Sequence, residues 1–337
     1  MQYAATIIGT GCAFPQSRVS NDDIVDRLAK NHISTTTQWI RERTGIRERR
    51  FSDPQNAGEH NSSLGVTAAA RALEMAGRTP DQIDQIIYAT CSPDTLIPST
   101  ACWLQHKIGA RRAWAMDINA ACSGFVYGLA IADKFIQSGQ THTALVVGAE
   151  VLNPFLNWRD RGSCILFGDG AGAAVVERAG VDAPGRILSS HLLSDGNLWE
   201  LLYIPAGGSR KEVTPDRFSR NRHKIQMYGK EIFKVAVRTL TEFAHQSLES
   251  QGFTVDDLDW FIPHQANYRI IEAVAKRLNC PLEKVIVNVD RYGNTSAATI
   301  PTALDEAVRD GRIHKGQLIL LDAFGAGLTY GAILMRW

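Results

Sequence analysis

The sequence predicts an α/β fold in which one layered unit occurs twice. Short apolar runs rich in Ile, Val and Leu alternate with segments of helical apolar spacing along the whole chain. The order of these runs in the first half recurs in the second. The helix-ending glycines Gly139 and Gly311 lie 172 residues apart (311 − 139), and so do Cys122 and Asn294 (294 − 122).

Taken in order, "MQYAATIIGTG" reads as a first strand ending at Gly9. It lacks the charged flank and long apolar centre of a secretory signal. "SSLGVTAAARALEMAG" reads as a helix closed by Gly77, and "IDQIIYAT" as a buried strand. "AWAMDIN" is strand-like and leads into "SGFVYGLAIADKFIQSG", a helix apolar on most of its surface and therefore buried. "HTALVVGAEV" is another strand. The second half repeats the series with "LDWFIPH", "RIIEAVAKRLN", "ALDEAVRDG" and "QLILLDAF". The halves are placed at 1–175 and 176–337. The segment 176–224, rich in Gly, Pro, Ser and charge, reads as a crossover and surface excursion without a core element. If both halves share one fold, Asn294 sits where Cys122 sits, each near a helix start.

At 337 residues the chain can bury about three quarters of its unfolded surface, so it needs no staples. With 45% hydrophobic and 21% charged residues and a net charge of +1, it carries no global attraction for nucleic acid or an anionic membrane. No run approaches the ~18 apolar residues of a spanning helix. The 6 cysteines form no CxxC pair and no Cys/His zinc spacing. They read as reduced thiols of a cytoplasmic protein, with no metal site expected.

Cys122, in "DINAACSGF", falls at a strand-to-helix turn among small residues. A free cysteine is often a small buried hydrophobe. At a helix start, however, unpaired N–H groups and the helix dipole favour the thiolate, which is the nucleophile. His264 in "WFIPHQANYRI" and Asn294 in "DRYGNTSAATIP" also follow strand-like runs, where α/β proteins collect their sites. Either alone is ordinary loop chemistry; together with Cys122 they make a candidate constellation.

"DINAACSGF", "PHQANYRI", "YGNTSAA", "FGDGAGAAVV", "DAFGAGLTYGAILMRW" and the amino-terminal "TQWIRERTGIRERR" resemble, in this order, the signature segments of the β-ketoacyl-acyl carrier protein synthase III family of the thiolase superfamily. The resemblance implies a thiolase-like fold: duplicated αβαβα layers with two mixed five-stranded sheets related by a pseudo-twofold, in a homodimer. It implies a Cys122–His264–Asn294 triad that condenses an acyl-CoA primer with malonyl-acyl carrier protein and so initiates fatty acid synthesis. No cofactor is implied, since coenzyme A and acyl carrier protein thioesters are substrates. The acyl oxygen would be held by the backbone N–H groups of Cys122 and Ala326. Thiolases carry a second cysteine as base near the carboxyl end, and "DAFGAGLTYG" has none. A carbanion made by loss of CO2 needs no such base; it needs N–H donors at the thioester oxygen, which His264 and Asn294 can supply.

The resemblance further implies that Trp39 stacks on adenine while Arg43 and Arg161 meet the nucleotide. Thr35, Gly229, Phe233, Asn267 and Arg269 would line the pantetheine tunnel. Leu96 and Ile97 would cross the dimer interface to floor the partner's acyl pocket. Lys230, Lys234 and Arg238 at i, i+4 and i+8 of one helix, and Lys276 and Arg277 on another, are candidates for docking the acidic carrier, although such stripes are commonly just solvated faces. A specialised synthase of secondary metabolism or quinolone-type signalling would carry the same triad. A cysteine hydrolase of acyl thioesters is the reading from another class.

Overall fold

The computed structural model describes residues 2–337. The first half runs β1 (Tyr3–Ala13), β2 (Arg18–Ser20), α1 (Asn21–Ala29), α2 (Thr37–Thr44), β3 (Glu48–Arg50), α3 (Asn61–Ala76), β4 (Gln85–Ala89), α4 (Thr100–Ile108), β5 (Trp114–Ile118), α5 (Gly124–Gln137), β6 (Thr143–Glu150), α6 (Arg161–Cys164) and β7 (Gly170–Gly180). The second runs β8 (Arg186–Ser194), β9 (Leu202–Tyr203), α7 (Pro215–Ser219), β10 (Gln226–Met227), α8 (Gly229–Glu249), β11 (Trp260–Pro263), α9 (Tyr268–Leu278), α10 (Val289–Tyr292), α11 (Thr299–Arg309), β12 (Leu318–Gly325) and β13 (Thr329–Arg336).

Strands β1-β7-β6-β4-β5 form one mixed sheet and β8-β13-β12-β11 the other. Reading from β1 and from β8, each position of the first sheet has a counterpart in the second, except the last. The expected fifth strand is reduced to a single parallel bridge between Phe261 and Val285. Past Ile286 the Gln265 side chain takes over the pairing: its Nε2 donates to Ile286 O and its Oε1 accepts from Asn288 N and Val289 N. Two further differences from the sequence reading follow from pairing. β1 continues beyond Gly9 because its partner β7 continues opposite it, as far as Ala13↔Ala171. The change of sheet falls between Gly180 and Arg186, so the segment 176–224 does hold a core element, β8, on the sheet edge. Its partly exposed residues hid the strand pattern.

The layers are α3 and α4, sheet, α5 and α11, sheet, α8 and α9. Strand alternation with both faces buried builds them. In β6, Leu145, Val147 and Ala149 face α3 while Ala144 and Val146 face the central helices. In β12, Leu318, Leu320 and Phe324 face α8 and α9 while Ile319, Leu321 and Ala323 face inward. Between two sheets, α5 needs small residues at close approaches: a Cβ on Gly128 would lie 2.8 Å from Val146 Cγ1. Phe125, Val126, Leu129 and Ile136 fill the rest of its surface. Burying each is worth ~1.5–3 kcal/mol, so the turn that starts α5 is held on a rigid base.

The structure corrects the pairing of Cys122 with Asn294. Ala121 and Ser296 carry matching positive φ angles, 46° and 50°, and each opens a short 3-10 turn into its central helix. At the helix starts the repeat is 175 (296 − 121), and it is 172 only at the helix-ending glycines (311 − 139). The counterpart of Cys122 is therefore Ala297. The offset taken from the carboxyl ends misses this because α5 spans 14 residues and α11 only 11.

Candidate active site

Cys122, His264, Asn294 and Gly325 line one cavity of about 720 Å³ together with Trp39, Arg43, Gly229, Phe233, Asn267 and Arg269. The three side chains reach it from the ends of β5, β11 and the loop before α11. They are 7%, 3% and 5% exposed, so reaction there would proceed with little water. Thr35, Arg161, Ala326, Leu96, Ile97, Arg238, Lys276 and Arg277 are not among the lining residues.

The expectation that Cys122 favours the thiolate is overturned. Burial, with the Glu150 carboxylate nearby, pushes the thiol up to about 12, against a lowering contact from the Ser296 hydroxyl. Desolvation outweighs the helix start because the whole turn is covered. Beside it, Gly325 closes on the nucleophile's backbone: an added Cβ would sit 2.8 Å from Cys122 N, Ala120 O and Thr329 Oγ1. Only a residue without a side chain leaves that amide approachable. Ala326 is the next residue, and its carbonyl accepts from Thr329 Oγ1 at 3.2 Å.

His264 continues the pairing of β11, its backbone N–H donating to Asp322 O at 2.8 Å. Burial lowers its pKa to about 3, so the imidazole is neutral. Its Nδ1 lies 2.7 Å from Thr299 Oγ1. The same hydroxyl is within donating reach of Ser296 O at 2.9 Å, an oxygen that also accepts the Thr299 backbone N–H. If the hydroxyl proton goes to Nδ1, the ring proton sits on Nε2; if it goes to Ser296 O, Nδ1 keeps the ring proton. Asn294 is oriented in the same way: its Oδ1 accepts the Ser296 N–H at 2.8 Å, leaving Nδ2 as the free end. The first arrangement gives the cavity two neutral N–H donors beside a sulfur.

At the cavity mouth Trp39 is stacked by Arg161, whose Cζ is 4.2 Å from the ring centroid, with Arg43 at 5.8 Å. Arg161 also donates to Ser34 O at 2.8 Å. Asn267 caps α9 through Arg269 N at 2.9 Å and donates to Arg43 O at 3.3 Å, which ties α9 to the Trp39 helix. The Thr35 hydroxyl is buried without a partner. Lys230 and Lys234 border the opening, Arg238 pairs with Glu242 at 4.0 Å, and Lys276 and Arg277 are exposed in the last turn of α9. Leu96 and Ile97 project into solvent, 86% and 89% exposed.

Two models of 3-oxoacyl-[acyl-carrier-protein (ACP)] synthase III match the chain, the first over residues 116–196 and the carboxyl-terminal one over 248–337. The β-ketoacyl-[acyl-carrier-protein] synthase III of Alkalilimnicola ehrlichii is 50% identical over 339 residues, covering 100% of both chains. The chain belongs to the synthase III family. Its counterpart from Caldanaerobacter subterraneus is 48% identical over 336 residues, covering 100% of this chain and 98% of the relative. The crystal structure of the Aquifex aeolicus synthase III superposes with a TM-score of 0.88 at 43% identity, covering 99% of this chain and 100% of that one. As a synthase III, the chain is an acyltransferase with the thiolase-like fold.

Thr299, Ser296 and Glu150 were not singled out from the sequence. Ser296 and Thr299 lie inside "YGNTSAAT", where they read as small turn and helix residues. Glu150 ends an apolar strand run and gives no sign of its surroundings. Its position on the carboxyl end of a central strand was the available signal.

Proposed function

We propose that this chain condenses the acyl group of an acyl-CoA with malonyl-acyl carrier protein through an acyl-Cys122 intermediate, giving a β-ketoacyl-acyl carrier protein and initiating fatty acid synthesis. The observation that carries this is the convergence of one nucleophilic sulfur with a neutral imidazole and an oriented amide in a cavity shielded from water. Cys122 attacks the thioester and the coenzyme A thiol departs. The backbone N–H groups of Cys122 and Ala326 hold the acyl oxygen. Malonyl carrier then enters the emptied tunnel. His264 Nε2–H and Asn294 Nδ2–H bind its thioester oxygen where charge develops as CO2 leaves, and the enolate carbon attacks the acyl-cysteine. Each such donor contributes ~3 kcal/mol to the transition state. A neutral histidine is the better fit here: as a donor it needs no titration, and as a base it would be too weak.

Trp39 offers one indole face to the adenine, since Arg161 covers the other. Arg43 and Arg161 meet the phosphates. Thr35 and Asn267 offer polar groups to the pantetheine, with Gly229, Phe233 and Arg269 along its path. Lys230 and Lys234 at the opening, with Arg238, Lys276 and Arg277 away from the lining, form the basic surface that the acidic carrier docks on. Nearly complete exposure of Leu96 and Ile97 supports a homodimer in which the partner covers them. Reduced thiols throughout support a cytoplasmic enzyme. No helix among the described residues is long and apolar enough to cross a membrane. The test is reconstitution: β-ketoacyl-acyl carrier protein forms from acyl-CoA and malonyl-acyl carrier protein, and release of free acid instead would favour a hydrolase.

A further inference from the structure

Next to the nucleophile lies a carboxyl group that the condensation as described leaves idle. Glu150, at the end of β6, is fully buried. Its Oε1 accepts from the Ser296 hydroxyl at 3.0 Å and from Cys91 Sγ at 3.3 Å. Its Oε2 accepts from Thr90 Oγ1 at 3.2 Å and from the Ser92 hydroxyl, and both oxygens lie 3.2 Å from Cys91 N. Every one of these donors is neutral, and burial raises the carboxyl pKa. The titratable groups facing it are the Cys91 and Cys122 thiols and the Tyr88 phenol.

Ser296 joins this carboxylate to the nucleophile. The short turn that opens with Ser296 packs against the one that holds Cys122, and the hydroxyl lies close enough to the sulfur to lower the thiol's pKa. The turn that carries it is wedged in place: a Cβ on Gly148 would lie 2.3 Å from Ala297 O, and one on Gly124 would lie 3.5 Å from Ala297 Cβ. Cys122 rests as a thiol and must lose a proton to attack. His264 is a poor acceptor, because burial holds its pKa near 3.

We propose that Glu150, acting through the Ser296 hydroxyl, takes the Cys122 proton as the acyl group arrives and returns it when the sulfur is released. The proposal rests on the acyl-Cys122 reading above. In acylation the Cys122 S–H bond breaks and the sulfur bonds to the acyl carbon. The sulfur proton moves to Ser296 Oγ as the Ser296 proton moves to Glu150, and coenzyme A leaves as thiolate to be protonated by solvent. In condensation the malonyl C–C bond breaks, CO2 leaves and the enolate carbon bonds to the acyl carbon. The Cys122 C–S bond then breaks, Ser296 reprotonates the thiolate, and Glu150 restores the Ser296 proton. Nothing is oxidised or reduced. The carboxylate spares the site an exchange with water between the two half-reactions.

The experiment follows single-turnover release of coenzyme A from acyl-CoA, and decarboxylation of malonyl-acyl carrier protein, from neutral to alkaline pH. It compares the wild type with Glu150→Gln and Ser296→Ala. Alanine at 296 is tolerable, since Ala121 holds the same φ region in the other half. General-base help is worth ~10²–10⁴-fold. We expect both variants to lose about 100-fold in acylation at neutral pH, to recover part of it as pH rises, and to lose far less in decarboxylation. Equal loss of both reactions, or an acylation pH profile identical to the wild type's, overturns the relay. If Glu150→Gln does not fold, Ser296→Ala alone decides. A wild type that releases no coenzyme A defeats the acyl-Cys122 reading itself, which is a separate outcome.

Discussion

The Thr299 hydroxyl lies 2.7 Å from His264 Nδ1, and both residues are buried, 1% and 3% exposed. The Thr299 proton decides the imidazole tautomer: given to Nδ1, it leaves Nε2–H to face the cavity. Thr299→Val keeps the shape and removes the donor. Decarboxylation of malonyl carrier should fall about tenfold, or ~1.4 kcal/mol, the scale of one hydrogen bond. Acylation of Cys122 should hold, and Thr299→Ser should keep both rates. Ring-nitrogen chemical shifts from NMR of labelled His264 report the tautomer directly.

His264 also links stability to acidity. Its pKa falls from 6.5 in the unfolded chain to about 3 in the folded one. Between these values the unfolded state binds the proton and the folded state does not, so stability rises with pH across that window and is lost as pH falls through it. Chemical denaturation of the wild type and His264→Gln over that range should show the difference narrowing toward neutrality from the acid side. For the same reason the rate profile should lack an inflection near 6.5 from this residue.

Gly325→Val puts a side chain against Cys122 N, where a Cβ would already stand at 2.8 Å. Loss of one oxyanion donor costs ~10²–10³-fold. Acylation should fall by at least that order and the thermal midpoint should fall with it, because the Cβ would also stand 2.8 Å from Ala120 O, backbone that cannot swing aside. Coenzyme A release and differential scanning fluorimetry measure the two.

How much of this was legible beforehand depends on periodicity. Buried strands with apolar residues on both faces, such as β6 and β12, announce themselves, and so does α5, whose glycines and alanines admit two sheets at once. Cys122, His264 and Asn294 stood out because each follows a strand-like run. The second sheet's missing strand did not, because Gln265, a side chain, replaces backbone pairing there. The charge state of Cys122 was misjudged for a related reason: a helix start is local and visible in sequence, whereas burial under β12, β13 and the Ser296 turn, and the charge of Glu150, are tertiary. Thr299 and Glu150 lie 35 residues from His264 and 146 from Ser296 respectively, so only the fold joins them.

The two substrates should be separable at the cavity mouth. Trp39→Ala removes the platform beside Arg161 and Arg43 and should raise KM for acyl-CoA about tenfold, in line with ~0.5–1.5 kcal/mol per aromatic stack. Reversing Lys276 and Arg277 to Glu should raise KM for the carrier substrate and leave that for acyl-CoA alone, with the effect fading at high salt. Steady-state kinetics with each substrate varied in turn measures both, and no change in either value would remove the α9 patch from docking.

The most direct test is the mass of the Cys122 peptide after the protein meets acyl-CoA without malonyl carrier. The expected result is one acyl group on Cys122, discharged as β-keto product when malonyl-acyl carrier protein is added, and absent from Cys122→Ala. An acyl group found on another residue, or full-rate β-keto product from Cys122→Ala, would contradict it.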